Sequence, residues 1–158
     1  MNILVLCTGN SARSILLESL LNTRGAGRVT AYSAGSRPAG KVHPQSLRLL
    51  AAKGHDTSGA RSKSWDEFGA ADAPVMDLVI TVCGSAAGEE CPMWPGAPLR
   101  AHWGVEDPAA AAEADWESAF ETAYARLAKR AEALLNLPFD DLSREELAAQ
   151  VKAIGTLE

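Results

Sequence analysis

The sequence predicts an α/β fold: a single domain in which a mostly parallel sheet is covered by helices on both faces. Three observations carry this. Short apolar runs alternate with segments of helical periodicity. The clearest runs, Ile3 to Leu6 and Leu78 to Ile80, are continuously apolar rather than alternating, as strands buried on both faces are. Gly- or Pro-containing turns separate the two kinds of segment. At 158 residues, 47% hydrophobic and 22% charged, the chain has the size and composition of one globular domain.

Ile3 to Leu6 is the first strand. After a Gly-containing turn, Ser11 to Leu21 places Ile15, Leu16, Leu20 and Leu21 at helical spacing, and Gly25 and Gly27 end that helix. Val29 to Ser33 reads as a second strand, broken at Ala34-Gly35. Pro44 to Lys53 is a second helix, with Leu47, Leu49 and Leu50 on its apolar side and Gly54 as its stop. Residues 55 to 74 hold turns and one short helix around Trp65-Asp66-Glu67-Phe68. Asp77 to Val82 is a central strand, Gly84 to Pro98 a long Gly- and Pro-rich loop, and Leu99 to Trp103 a fourth strand. A long Ala-rich amphipathic helix follows from about Asp115 to Leu135. Ser143-x-x-Glu146 is the pattern of a capping box, opening a final helix that ends near Ile154. The domain is expected over residues 1–135, with a C-terminal helical extension, 136–158, packed on it.

Composition narrows the function. A net charge of −5 argues against nucleic acid as the main partner, because phosphate backbones select basic surfaces. One local positive pocket can still hold an anion. No run of about 18 apolar residues exists, so no membrane span is expected. Met1-Asn2-Ile3-Leu4-Val5-Leu6 lacks a basic leader and a cleavage site, so a cytoplasmic location is expected; the chain is also expected to be a monomer. In a reducing compartment three cysteines are not a disulfide framework; they are inert core thiols or chemistry.

Cys7-Thr8-Gly9-Asn10-Ser11-Ala12-Arg13-Ser14 stands where the first strand ends and the first helix begins. Backbone N–H groups in such a loop converge, and the helix N-terminus adds positive potential, so residues 8 to 13 can cradle a tetrahedral oxyanion. Gly9 and Asn10 tolerate the left-handed backbone that a tight cradle needs. In that field Cys7 is expected to have a lowered thiol pKa. Arg13 supplies a planar fork for two oxyanion oxygens, and the Ser14 hydroxyl can donate to the Cys7 sulfur. The bland alternative is a buried core thiol beside an ordinary turn. A Walker nucleotide loop is excluded, because no Gly-Lys-Ser/Thr ending is present. Pro108 holds Asp107 extended, where its carboxyl can act as a general acid; Glu106 and Asp107 can equally be loop carboxylates capping the next helix.

The Cys-Thr-Gly-Asn-Ser-x-Arg-Ser run, with Tyr32-Ser33-Ala34-Gly35 and Asp107-Pro108, resembles the low-molecular-weight tyrosine phosphatases and their arsenate reductase relatives over residues 1 to 135. The resemblance implies a four-stranded parallel sheet flanked by helices, Cys7 as nucleophile and Asp107 as general acid. Cys83 and Cys91 match the three-cysteine relay of the family's thioredoxin-coupled reductases. It implies arsenate as substrate and thioredoxin as reductant, with glutaredoxin and glutathione left open, and no cofactor. Two alternatives stand beside it. One is a phosphatase acting through Cys7, with Cys83 and Cys91 inert, although Ala109-Ala110-Ala111 replaces the tyrosines that usually follow Asp-Pro there. The other is a weakly catalytic oxyanion-binding regulator. Zinc on Cys83, Cys91 and His102 fits poorly, because the gap between the cysteines departs from the short paired spacings of structural sites, and no metal is expected.

Some reductases of that family bind potassium near the loop through an Asn, a Glu, a Ser and an Asp. Asn10, Glu18 and Ser33 match, but Lys63 stands where the Asp would be, which implies an ammonium group supporting the loop in place of the ion. His43 and His55 are expected to take no part in catalysis. Arg37, Lys41 and Arg61 can add positive potential, and Trp65, Trp94 and Trp103 can line a pocket or simply pack.

Overall fold

A computed structural model describes residues 1–70, 72–83 and 97–157. Four strands, β1 (Asn2–Leu6), β2 (Thr30–Ala34), β3 (Leu78–Thr81) and β4 (Leu99–His102), form one sheet in the order β2-β1-β3-β4, with every pairing parallel. The helices are α1 (Arg13–Arg24), α2 (Pro44–Ala52), α3 (Trp116–Leu135) and α4 (Arg144–Ile154). Short 3-10 turns occupy Trp65–Phe68, Pro108–Ala110 and Glu113–Asp115; only the first is legible in the sequence. The long-loop prediction falls mostly outside the described residues, as do Cys91 and Trp94.

β1 lies between two partners, and Ile3, Leu4, Val5 and Leu6 are all essentially inaccessible. Alternate residues divide the sheet into two cores. Ile3, Val5, Leu78 and Ile80 pack with Leu16, Leu20, Phe120, Leu127 and Leu134 from α1 and α3. Leu4, Leu6 and Val79 pack instead with Phe68, Met76 and the partly buried Tyr32 and Trp65. Each fully buried Leu or Phe contributes roughly 1.5–3 kcal/mol, so the larger cluster dominates cohesion.

α1 starts at Arg13 rather than at the Ser11 that the periodicity predicts. The difference has a physical basis: Ser11 and Ala12 belong to the preceding loop, and the Ala12 N-cap offers no side-chain acceptor to the first-turn amides. β2 is displaced by one residue, to Thr30–Ala34, by its register with β1. α4 begins with the expected capping box: Glu146 N donates to Ser143 Oγ at 3.1 Å and Ser143 N to Glu146 Oε1 at 3.2 Å. Its Leu147, Val151 and Ile154 join the main core.

His55 ties α1 to α3. Its Nδ1 lies 2.9 Å from both Ser19 Oγ and Thr23 Oγ1, and its Nε2 lies 2.8 Å from Tyr124 Oη. Burial pushes its pKa below the ordinary histidine value, so the folded state favours the neutral ring. That stability is complete above the unfolded-state pKa of about 6.5 and is lost as the pH falls through the lower folded-state value. His55→Ala should cost about 2 kcal/mol at neutral pH through lost hydrogen bonds and packing. It should also flatten the acid-side decline of stability; urea melts of both proteins across that range check this, and parallel declines would refute it.

Candidate active site

The loop between β1 and α1 is built by outward-facing carbonyls. Thr8 O accepts from Arg37 N at 3.0 Å, Gly9 O from Ala39 N at 2.9 Å, and Ser11 O from His43 N at 3.0 Å. Ser62 Oγ and Ser46 Oγ add bonds to Gly9 O and Ser11 O. In a trans peptide the N–H opposes the carbonyl, so fastening these carbonyls to the 36–46 wall turns the amides of Gly9, Asn10 and Ala12 inward. Asn10 takes the left-handed bend, at φ 46°, and is fully buried. Its Nδ2 donates to Ser14 Oγ at 2.8 Å and its Oδ1 accepts from Lys63 N at 2.9 Å. Gly35 permits the close approach: a Cβ there would stand 2.4 Å from Thr8 O and 2.7 Å from Cys7 O.

The cavity measures about 80 Å³ and is lined by Cys7, Gly9, Asn10, Ser11, Ala12, Arg13, Asp107 and Ala109. A water needs roughly 10–15 Å³ by this measure, so a small tetrahedral oxyanion has room. The uncapped N-terminus of α1 and the Arg13 guanidinium make it the natural seat for negative charge. Arg13 Nη1 donates to Val105 O at 2.9 Å, and Nη2 stands 3.7 Å from Asp107 Oδ2. Its Nε is buried with no protein acceptor, a donor left for a bound anion. Asp107 also accepts from Ala109 N at 3.0 Å, which holds its carboxyl at the cavity mouth. Larger hollows lie elsewhere; the chemistry of the lining singles this one out.

Leu6 pairs with Thr81, so the chain leaving β3 delivers Cys83 beside Cys7. Both are buried free thiols, and Cys83 lies near enough to act on the Cys7 thiol. Cys83 Sγ also lies 3.4 Å from Thr8 N and 3.5 Å from Thr8 Oγ1. The neighbouring Cys83 and burial push the Cys7 thiol above its ordinary pKa, against the opposing pull of Arg13 and the Gly9 amide. The loop by itself predicts a lowered thiol; the structure reverses the direction, because the second sulfur comes from a distant part of the chain.

Two other expectations change. Ser14 is fully buried, but its hydroxyl accepts from Asn10 instead of donating to Cys7, so it braces the bend of the loop. Thr8 turns to Cys83 and does not line the cavity. His43 has a role that no local signal gives away. It holds Ser11 O through its N–H, caps α2 by accepting from Gln45 N at 3.0 Å, and packs edge-on against Trp116. Trp103 is a core residue with no exposed surface, and His102 is engaged with Thr81 at 2.7 Å.

Behind the loop, Lys63 Nζ lies 3.9 Å from Glu18 Oε2, 3.5 Å from Ser33 Oγ and 3.0 Å from Arg61 O, and Ser33 Oγ donates to Glu18. Burial pushes Lys63 down and Glu18 up in pKa, while each pulls the other back toward its charged form. The ammonium thus stands among the oxygens of Glu18, Ser33 and Arg61. Among the described residues no cluster of three His, Cys, Asp or Glu side chains suits a metal ion, and no helix is long and apolar enough to cross a membrane.

Residues 2–153 match the family described as low molecular weight phosphotyrosine protein phosphatase. The chain belongs to this family. Within it, the chain is 40% identical over 106 residues to an arsenate reductase of Bacillus licheniformis, which covers 67% of this chain and 73% of the relative. A solved structure of an arsenate reductase in the phosphate binding state superposes with a TM-score of 0.68 at 30% identity, covering 85% of this chain and 95% of that one. A thioredoxin-dependent arsenate reductase of Corynebacterium glutamicum gives a TM-score of 0.56 at 28% identity, over 80% of this chain and 57% of that one. The phosphatase fold of the family is thus joined here to a second buried thiol, which phosphate-ester hydrolysis does not require.

Because Cys83 is the largest influence raising the Cys7 pKa, removing it should lower that pKa. In Cys83→Ala, alkylation of Cys7 by iodoacetamide should reach half its maximal rate at a lower pH than in the wild type; an unchanged or higher midpoint would contradict the thiol–thiol contact.

Proposed function

We propose that this protein is an arsenate reductase that works through a Cys7–Cys83–Cys91 thiol relay recycled by thioredoxin. The observation that carries the reading is a cavity lined by Cys7, Arg13 and Asp107 with a second buried free thiol, Cys83, beside Cys7. Cys7 Sγ attacks arsenic as its proton passes to an arsenate oxygen, Arg13 and the loop amides hold the remaining oxygens, and Asp107 protonates the departing hydroxyl, which leaves as water. Cys83 then attacks Cys7 Sγ. The sulfur–arsenic bond breaks with its electron pair on arsenic, which leaves as arsenite, reduced from the pentavalent to the trivalent state. A Cys7–Cys83 disulfide remains. Attack by Cys91 on Cys83 frees Cys7 and gives a Cys83–Cys91 disulfide, which an external dithiol reduces. Cys91 lies outside the described residues and enters by its place in the sequence.

The thioredoxin dependence of the Corynebacterium glutamicum relative supports that reductant, and the relay suits a reducing cytoplasm. A monomer agrees with the surface: among the described residues Val75 is the sole large hydrophobic side chain that is exposed. The test is arsenate-dependent NADPH oxidation with thioredoxin and its reductase. Wild type should turn over, and Cys7→Ser, Cys83→Ser and Cys91→Ser should each fall to background. Turnover restored only by glutaredoxin and glutathione would replace the reductant. The competing phosphatase reading rests on Cys7, Arg13 and Asp107 alone; it wins if only Cys7→Ser is dead and p-nitrophenyl phosphate is hydrolysed well without a reductant.

Lys63 serves this site in place of a potassium ion, bracing Asn10 from its backbone and Glu18 and Ser33 from its ammonium group. Activity should therefore be the same in sodium and potassium buffers of equal ionic strength. Strong activation specific to potassium would refute the assignment.

A further inference from the structure

We propose that Arg130 is a positioning residue for this reaction, and that with Trp103 and Gly155 it forms a strut through which the C-terminal helix sets the Arg13 guanidinium. The proposal rests on Arg13 being the oxyanion-binding arginine, as argued above.

Arg130 projects from α3 and is only 4% exposed. Burying a guanidinium is costly unless its donors are satisfied. Its Nη1 donates to Trp103 O at 2.9 Å and to Gly104 O at 3.1 Å, and its Nε to Leu157 O at 3.0 Å. The fork therefore joins the strap after β4 to the segment after α4. Two further contacts close the same joint. Trp103, with no exposed surface, donates its indole N–H to Val151 O in α4 at 2.9 Å. Gly155 lets the end of α4 lie on the strap: a Cβ there would stand 2.5 Å from His102 O and 2.9 Å from Trp103 Cδ1.

The strap carries this constraint into the active site within two residues. Trp103 N donates to Thr81 O at 2.7 Å and Val105 N to Val82 O at 3.1 Å, while Val105 O accepts Arg13 Nη1 at 2.9 Å. Val105 thus bridges the residue preceding Cys83 and the guanidinium that faces the anion. Asp107 follows two positions later and meets the same guanidinium at 3.7 Å. Residues 103–105 lie outside helix and strand, so these bonds fix their path. A small displacement there moves Arg13, and oxyanion recognition by a planar fork is sensitive to such shifts.

The test uses the full chain with Arg130→Met, Arg130→Lys and Gly155→Ala. Binding of inorganic phosphate is measured by calorimetry, arsenate KM and kcat by coupled turnover, and folding by circular dichroism. Arg130→Met and Gly155→Ala should weaken phosphate binding and raise the arsenate KM by about tenfold, the value of one charge-assisted hydrogen bond. Saturating kcat should fall less, and Arg130→Lys should recover part of the affinity. Coupling is reciprocal, so in the wild type phosphate should slow exchange of the Trp103 indole N–H more than that of the β1 amides. Unchanged phosphate affinity in the folded variants, or a Trp103 exchange rate indifferent to phosphate, would overturn the proposal. If the variants fail to fold, the wild-type exchange measurement decides alone. A wild type that binds no phosphate would sink the reading of the loop and the strut with it, whereas normal binding without coupling removes the strut only.

Discussion

Leu6 is paired with Ala34 on one side and Thr81 on the other, and the chemistry of this molecule depends on that double pairing. Parallel strands in register end together, so the chain leaves β1, β2 and β3 at one edge of the sheet. Cys7 follows Leu6, Gly35 follows Ala34, and Cys83 stands two residues beyond Thr81. A slip of one residue would exchange the two faces of a strand, moving Ile3 and Val5 out of the cluster they share with α1 and α3. The register that satisfies the core is therefore the one that brings the two sulfurs together.

Given that edge, the remaining parts of the site answer the demands of unpaired groups. The amides at the start of α1 have no side-chain cap, and the carbonyls of the loop are already spent on the 36–46 wall. What remains is a concentration of donors around a small cavity, with Arg13 adding full charge. A net-acidic chain can bind an anion because this field is local and partly buried, where opposite charges elsewhere are screened. The same burial has a cost at the thiol. Beside another sulfur and away from water, Cys7 holds its proton more tightly than an isolated loop cysteine would. The Arg13 guanidinium and the Gly9 amide beside it pull the other way.

The fold was widely legible because its signals are local. The apolar run at Ile3 to Leu6, the periodicity of Leu16 and Leu20, and the Ser143–Glu146 box each specify an element with no reference to distant residues, and the structure bears them out. The cradle could be read for the same reason: its residue types, spacing and strand–helix setting are contiguous. Misreadings cluster where a partner arrives from elsewhere. The Cys7 thiol is raised rather than lowered because burial and the neighbouring Cys83 outweigh the field of the loop. The Ser14 hydroxyl accepts from Asn10, which is bent into the left-handed region and itself accepts from Lys63 N. Thr8 was counted among the anion's ligands, but its donors serve Cys83.

The sequence by itself determined the alternation of strand and helix, the strand–helix loop that begins at Cys7 and the placing of a carboxyl ahead of Pro108. Short-range sterics, capping and hydrophobic period suffice for those. Only the tertiary structure decided that Val105 holds Arg13, that His43 fastens Ser11, and that Arg130 ties the strap to the C-terminal segment. Each of these joins residues whose separation in sequence carries no signal. Closing such loops costs conformational entropy, and it is recovered from the shared core rather than from the contacts themselves.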